Sequence, residues 1–240
     1  HSNPHLAFLG VYDGHGGRNI VDFLDVALAA NIARECNHDD DASIKEKIER
    51  AFLITDLQSR KMGLLESGST VAVCLIHTDP NSNMRLLTTA NVGDARVVLG
   101  RRTMRSNGRA VIRSVERLSY DHSANDKAEI ERIQKAGGLV VKGRVMGLLA
   151  VARSMGDHSL KDFVSATPYI TESVEAKKGD VVILACDGLW DVMSDAEAVE
   201  EASKLEGEER MYDAAIAKRL IEMALEREST DNITVMVAFL

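Results

Sequence analysis

Hydrophobic positions along the chain follow two rhythms, and the switches between them mark out the elements. Residues 6–12 form an almost unbroken apolar run of strand length that stops at Asp13. The period then changes. Ile20, Phe23, Leu24, Ala27, Leu28 and Ile32 recur at helical spacing and predict a long helix with one buried face. Ile44, Ile48, Ala51 and Phe52 predict a second helix, which the acidic cluster at 39–41 is expected to start, because first-turn carboxylates favour the helix dipole. Strands are expected at 70–77, 85–91 and 96–100, separated by Asp79-Pro80-Asn81 and by Gly93-Asp94. Residues 101–113 read as an extended hairpin around Asn107-Gly108. A short helix at 124–136 stops at Gly137-Gly138, and short strands run through 139–153. Residues 181–186 predict a buried strand, and Ser194 with Glu197 a capping box. Tyr212, Ala215, Ile216, Arg219, Leu220, Met223 and Ala224 mark a C-terminal helix, and 233–240 a closing strand.

Helices come in pairs and strands in runs, without the strand–helix alternation of a doubly wound sheet. The pattern predicts an α+β fold with antiparallel sheets covered by helix pairs. A chain of 240 residues, 45% hydrophobic and 28% charged, suits one folded domain. Its apolar runs are far shorter than the roughly 20 residues of a membrane helix. No basic segment followed by an apolar one opens it, so no signal peptide is expected. The net charge of -8 argues against general nucleic-acid binding, which needs Lys and Arg against phosphate. The expectations are therefore no nucleic-acid partner, no membrane partner and a monomer. Cys36, Cys74 and Cys186 are far apart, and Cys74 and Cys186, inside apolar runs, suit buried reduced thiols, hence a cytoplasmic or nuclear setting.

The chemistry lies in the placement of aspartates. Asp13 and Asp187 each follow a buried run and precede a glycine, Gly14 and Gly188. Asp94 lies in the turn after 87–91, and Asp231-Asn232 precedes the last strand. One such aspartate is an ordinary turn residue. Several at strand ends can converge on one edge, where they repel unless a cation neutralises them. Carboxylate and carbonyl oxygens without Cys or His clusters suit Mg²⁺ or Mn²⁺ rather than zinc. His15, two residues after Asp13, is placed to donate a proton to a leaving alkoxide, or else is a solvated loop histidine.

These segments resemble the type 2C metal-dependent serine/threonine protein phosphatases, in that family's order and over nearly the whole chain. Phe8-Leu9-Gly10-Val11-Tyr12-Asp13-Gly14-His15-Gly16-Gly17 is similar to the first aspartate motif, and Ser67-Gly68-Ser69-Thr70 to the strand opener. Ala90-Asn91-Val92-Gly93-Asp94-Ala95-Arg96, Asp121-His122, Arg144-Val145-Met146-Gly147 and the segment from Leu149 to Asp157 resemble the central motifs. The segment from Ala185 to Met193 and Asp231-Asn232-Ile233-Thr234 resemble the last two aspartate motifs. The resemblance implies a β-sandwich of two antiparallel sheets flanked by pairs of α-helices, α-β-β-α. It implies two Mg²⁺ or Mn²⁺ ions on Asp13, the Gly14 carbonyl, Asp187 and Asp231, with a weaker third ion on Asp94 near Asp191. It implies hydrolysis of phosphoserine or phosphothreonine on phosphoprotein substrates, by water activated at the metal pair, with His15 as general acid and no phosphoenzyme. The family carries an Arg and a Glu-Asp pair on a strand upstream of its first aspartate motif, and the sequence here starts at His1, after that point. The expectation is one phosphatase domain over 1–240, N-terminally incomplete, without the sandwich's N-terminal strands.

Rival readings are weighed on residues. A cysteine phosphatase needs Arg six positions after Cys, and Ala42, Pro80 and Val192 stand there. Gly156-Asp157-His158-Ser159 only mimics the Gly-Asp-x-His-Gly segment of His/Asp dinuclear phosphatases. The remaining alternative is a catalytically impaired phosphatase-fold module that binds phosphoproteins, which retention of Asp13, Asp187, Asp231 and His15 argues against. Trp190 is expected in the core, Asp157 in a structural turn and His158 in solvent. Arg101, Arg102, Arg105, Arg109, Arg113 and Arg117 form a basic hairpin, read as a solvated hairpin or as a docking surface for acidic partners.

Overall fold

The computed structural model describes residues 6–79, 82–104, 110–204 and 213–240. Strand β1 (Leu6–His15) pairs antiparallel with β2 (Gly68–Thr78), and β2 pairs with β3 (Arg85–Val92). This sheet is completed by the two-residue strands β8 (Met155–Gly156) on β2 and β9 (Tyr169–Ile170) and β10 (Val174–Glu175) on β3. The second sheet has the order β12-β11-β4-β5, built from β4 (Arg96–Met104), β5 (Ala110–Arg117), β11 (Val181–Ala185) and β12 (Val235–Phe239). A small hairpin, β6 (Val140–Val141) with β7 (Arg144–Val145), stands apart.

The period of two along each strand decides the layers. Val71, Val73 and Leu75 of β2 point outward, onto Ile20, Leu24 and Leu28 of α1 (Asn19–Cys36) and Phe52 of α2 (Ile44–Lys61). Ala72 and Cys74 point inward, to meet Val97, Leu99, Val182 and Leu184 from the facing sheet. On the far side Val98, Val181 and Ile183 pack under Val199 of α5 (Asp195–Lys204) and Ile216 and Leu220 of α6 (Asp213–Glu226). Because β11 is covered on both faces, all five of its residues are buried, and it reads as a continuous apolar run. The result is the α-β-β-α sandwich that the resemblance implied. No helix among the described residues is long and apolar enough to cross a membrane.

Local chemistry moved several boundaries. Helix α2 starts at Ser43, not at the acidic cluster. Ser43 Oγ accepts from Glu46 N, and Glu46 Oε2 accepts from Ser43 N at 2.7 Å. Asp40 lies in the preceding loop and pairs with Lys47 and Arg50. Helix α3 (Lys127–Lys135) begins after Asp126, whose carboxylate caps Glu129 N. Ser194 and Glu197 form the expected reciprocal cap on α5.

The basic hairpin is corrected too. Arg101 meets Asp180 at 2.8 Å, Arg102 donates to the Gly179 carbonyl and lies over Phe239, Arg113 reaches Thr103, and Arg117 pairs with Asp195 and Asp121. Arg101 and Arg102 are taken up by the fold itself, so neither a solvated hairpin nor a free docking surface describes them, whereas Arg113 and Arg117 stay exposed on the hairpin. Arg105, Arg109, Asn107-Gly108, Pro80, Asn81 and Tyr212 lie outside the described residues.

Candidate metal centre

Close backbone packing assembles the site. In β1 the register sets Asp13 opposite Thr70 and Gly14 opposite Ser69. Asp13 therefore lies within the strand rather than at its end. Gly93 turns the chain from β3 to β4 at a φ of 84°, and a Cβ there would lie 2.6 Å from Thr70 Cβ. That approach carries Asp94 to the same end of the sandwich. Asp187 does not end β11. It opens a one-turn helix, α4 (Asp187–Trp190), with Asp191 following at its C-terminus. A Cβ on Gly188 would lie 2.2 Å from the Asn232 carbonyl oxygen, so only glycine lets the segment entering β12 lie against α4. Ser229 Oγ fastens that segment by donating to the Gly188 carbonyl at 2.7 Å. This arrangement brings Asp231 beside Asp187.

The charges confirm the crowding. Carboxylate oxygens of Asp13 and Asp187 and the Sγ of Cys186 all lie within 4.8 Å of one another. Burial, then the charges of Asp187 and Asp231, pushes the Asp13 carboxyl up to about 6. Burial, then Asp187, also pushes Asp94 up to about 7, with Asp121 and Asp13 adding to it. Asp187 is itself raised, by burial and then by Asp231 and Asp191. Its Oδ1 is buried and accepts no hydrogen bond. An orphaned buried oxygen among repelling carboxylates is the donor set a hard divalent cation satisfies. The residues present fit such an ion.

Cys186 is the neighbour that reading the sequence did not place here. Its Sγ donates to the Asn232 carbonyl and accepts from Thr234 N, both at 3.2 Å. Burial pushes the thiol up to about 11, so it stays neutral and makes a poor ligand for Mg²⁺ or Mn²⁺. Trp190 is buried as expected, donating Nε1–H to the Ala185 carbonyl, with Arg96 over its ring.

His15 lies close enough to Asp13 to offset part of its repulsion. Its Nε2 is 2.7 and 2.9 Å from the two carboxylate oxygens of Asp157. Asp157 is thus more than a turn residue, a contact that no local pattern signalled. His158 is not solvated either. Its Nε2 pairs with Ser59 Oγ at 2.8 Å, and its Nδ1 is buried.

A family model described as Protein phosphatase 2C matches residues 1–233. Protein phosphatase 2C homolog 1 of Schizosaccharomyces pombe is 38% identical over 237 residues, a match covering 98% of this chain and 64% of that relative. Protein phosphatase 2C homolog 1 of Saccharomyces cerevisiae is 36% identical over 244 residues, covering 97% of this chain and 82% of that one. Among solved structures, a sex-determining protein of C. elegans superposes with a TM-score of 0.80 at 26% identity, over 98% of this chain and 56% of the other. A phosphatase of Toxoplasma gondii superposes with a TM-score of 0.80 at 24% identity, over 98% of this chain and 85% of the other. The chain spans less than two thirds of the length of the fission-yeast relative.

Proposed function

The chain belongs to the protein phosphatase 2C family, and from that premise we propose that it hydrolyses phosphoserine and phosphothreonine on proteins in a reaction dependent on Mg²⁺ or Mn²⁺. The observation that carries this reading is the crowd of raised carboxyls around Asp13, Asp94 and Asp187, with an orphaned buried oxygen among them. Asp13, the Gly14 carbonyl, Asp187 and Asp231 would hold the principal ions, and Asp94 with Asp191 a weaker one. When bound, such ions supply water activation and charge neutralisation at the phosphoryl oxygens.

The chain's own residues do the rest. Burial and mutual repulsion leave part of the aspartates' charge neutralised by protons in the empty pocket, and an entering cation takes the place of those protons. His15 holds the proton that the departing serine or threonine oxygen takes up, since an alkoxide leaves poorly without one. Phosphate transfers directly to water, with no phosphoenzyme.

Release of inorganic phosphate from a phosphothreonine peptide, with Mn²⁺ and then with excess chelator, tests the proposal. Release that appears with Mn²⁺ and vanishes with chelator is expected. Specific binding of phosphoprotein without any release in Mn²⁺ would return the reading to a phosphatase-fold binding module.

A further inference from the structure

We propose that Asp157, reaching His15 through a gap that Gly68 leaves open, is a positioning residue that orients the His15 imidazole for proton transfer. Three strands converge to make the contact. His15 ends β1 directly opposite Gly68 at the start of β2, and Gly68 in turn pairs with Gly156 on β8. Asp157 is the next residue, and its own N–H donates to the Ser67 carbonyl at 3.0 Å. The placement joins residues 142 positions apart in the chain.

Gly68 is a glycine for space. Its φ is not in the left-handed region, yet a Cβ there would lie 2.0 Å from Asp157 Oδ2 and 2.3 Å from His15 Nε2. Any side chain at 68 would stand between the two partners. Asp157 is held from its other side by Ser154, whose Oγ donates to Oδ2. The Asp157 side chain is only 8% exposed. Among the described residues, His15 is the ion-pair partner of this carboxylate.

A purely local role does not account for the side chain. Asp157 stands at the N-cap position of the short turn His158–Leu160 but makes no side-chain capping bond there. It holds φ at 49°, a left-handed conformation that costs a residue with a Cβ, and it directs its oxygens at His15 instead. A buried carboxylate on one imidazole nitrogen fixes both the ring plane and the nitrogen left free for chemistry. Here Nε2 is engaged, so Nδ1 is the nitrogen that hands over its proton. As water oxygen bonds to phosphorus and the bond from phosphorus to the side-chain oxygen breaks, that oxygen takes the Nδ1 proton. The proton lost by the attacking water passes to phosphate and solvent, from which the imidazole recharges.

This inference rests on His15 being the general acid, and the leaving group separates the two claims. A nitrophenolate departs without a proton, whereas an alkoxide does not. The experiment measures kcat with Mn²⁺ on a phosphothreonine peptide and on p-nitrophenyl phosphate, for Asp157→Asn, His15→Ala and the double variant. Asparagine matches aspartate in shape and tolerates the left-handed backbone. The expected result is a loss of about 100-fold on the peptide for Asp157→Asn, roughly tenfold greater than its loss on p-nitrophenyl phosphate. His15→Ala should show the same bias, and the double variant should lose little more than His15→Ala alone. Mn²⁺ affinity by calorimetry should stay within about threefold of wild type, since a metal-site defect would move it. Bias in His15→Ala but not in Asp157→Asn overturns the positioning role and leaves the general acid standing. No bias in His15→Ala overturns both. If Asp157→Asn does not fold, Gly68→Ala takes its place, with the same substrate bias expected and an equal loss on both substrates overturning the proposal.

Discussion

Asp13 and Asp94 hold their protons far above the ordinary carboxyl value of 3.8, at about 6 and about 7. A carboxyl raised in this way binds protons more tightly folded than unfolded. Its contribution to stability is complete below the unfolded value and disappears as pH rises through the folded values. Chelated protein should therefore melt at progressively lower temperature between about pH 4 and about pH 7, as calorimetry would show. Mn²⁺ requires the deprotonated forms, so its stabilising effect should grow over the same window. On the proposed metal site, Asp187→Asn should cut Mn²⁺-dependent turnover by more than about 100-fold while circular dichroism shows an unchanged fold, because a single proposed ligand would be weakened. Unchanged turnover would remove Asp187 from the site. These aspartates were legible because each borders a buried apolar run and three adjoin a glycine. The partner of His15 was not. Strand register decides that contact, and register across such a span leaves no local trace.

Among the elements, the long periodic ones were readable and the short ones were not. Helices α1 and α2 followed from apolar spacing, whereas α4, with four residues, and β8 to β10, with two each, are too short to show a period. The start of α2 illustrates a competition between signals. Three adjacent aspartates offered the dipole argument, but Ser43 with Glu46 satisfies backbone donors directly, and the direct bonds prevail. Ser43→Ala should lower the melting temperature by about 2–4 °C. Asp39→Ala should leave it within about one degree. Equal shifts in thermal unfolding would mean that the acidic cluster shares the work of the cap.

At the scale of the molecule, stability rests on three stacked apolar layers. Leu99, fully buried between the sheets, and Leu57, half exposed on α2, test which layer matters. Leu99→Ala should cost about 3 kcal/mol in urea unfolding, and Leu57→Ala no more than about 0.5 kcal/mol. The layering could be read from strand alternation, because residues 181–185 betray burial on both faces. The order of the strands could not. Strand β11 lies between β4 and β12, and the stretch separating it from β4 carries no pairing code. The same layering divides the aspartates between the two halves of the sandwich. Asp13 rides on the first sheet, Asp187 and Asp231 on the segments flanking β11 and β12 of the second, and Asp94 on the crossover between them. An ion caught there would act as a rivet through both plates. Amide hydrogens at 93–95 and 187–191 should exchange more slowly once Mn²⁺ is added, while the opposite mouth of the sandwich breathes as before.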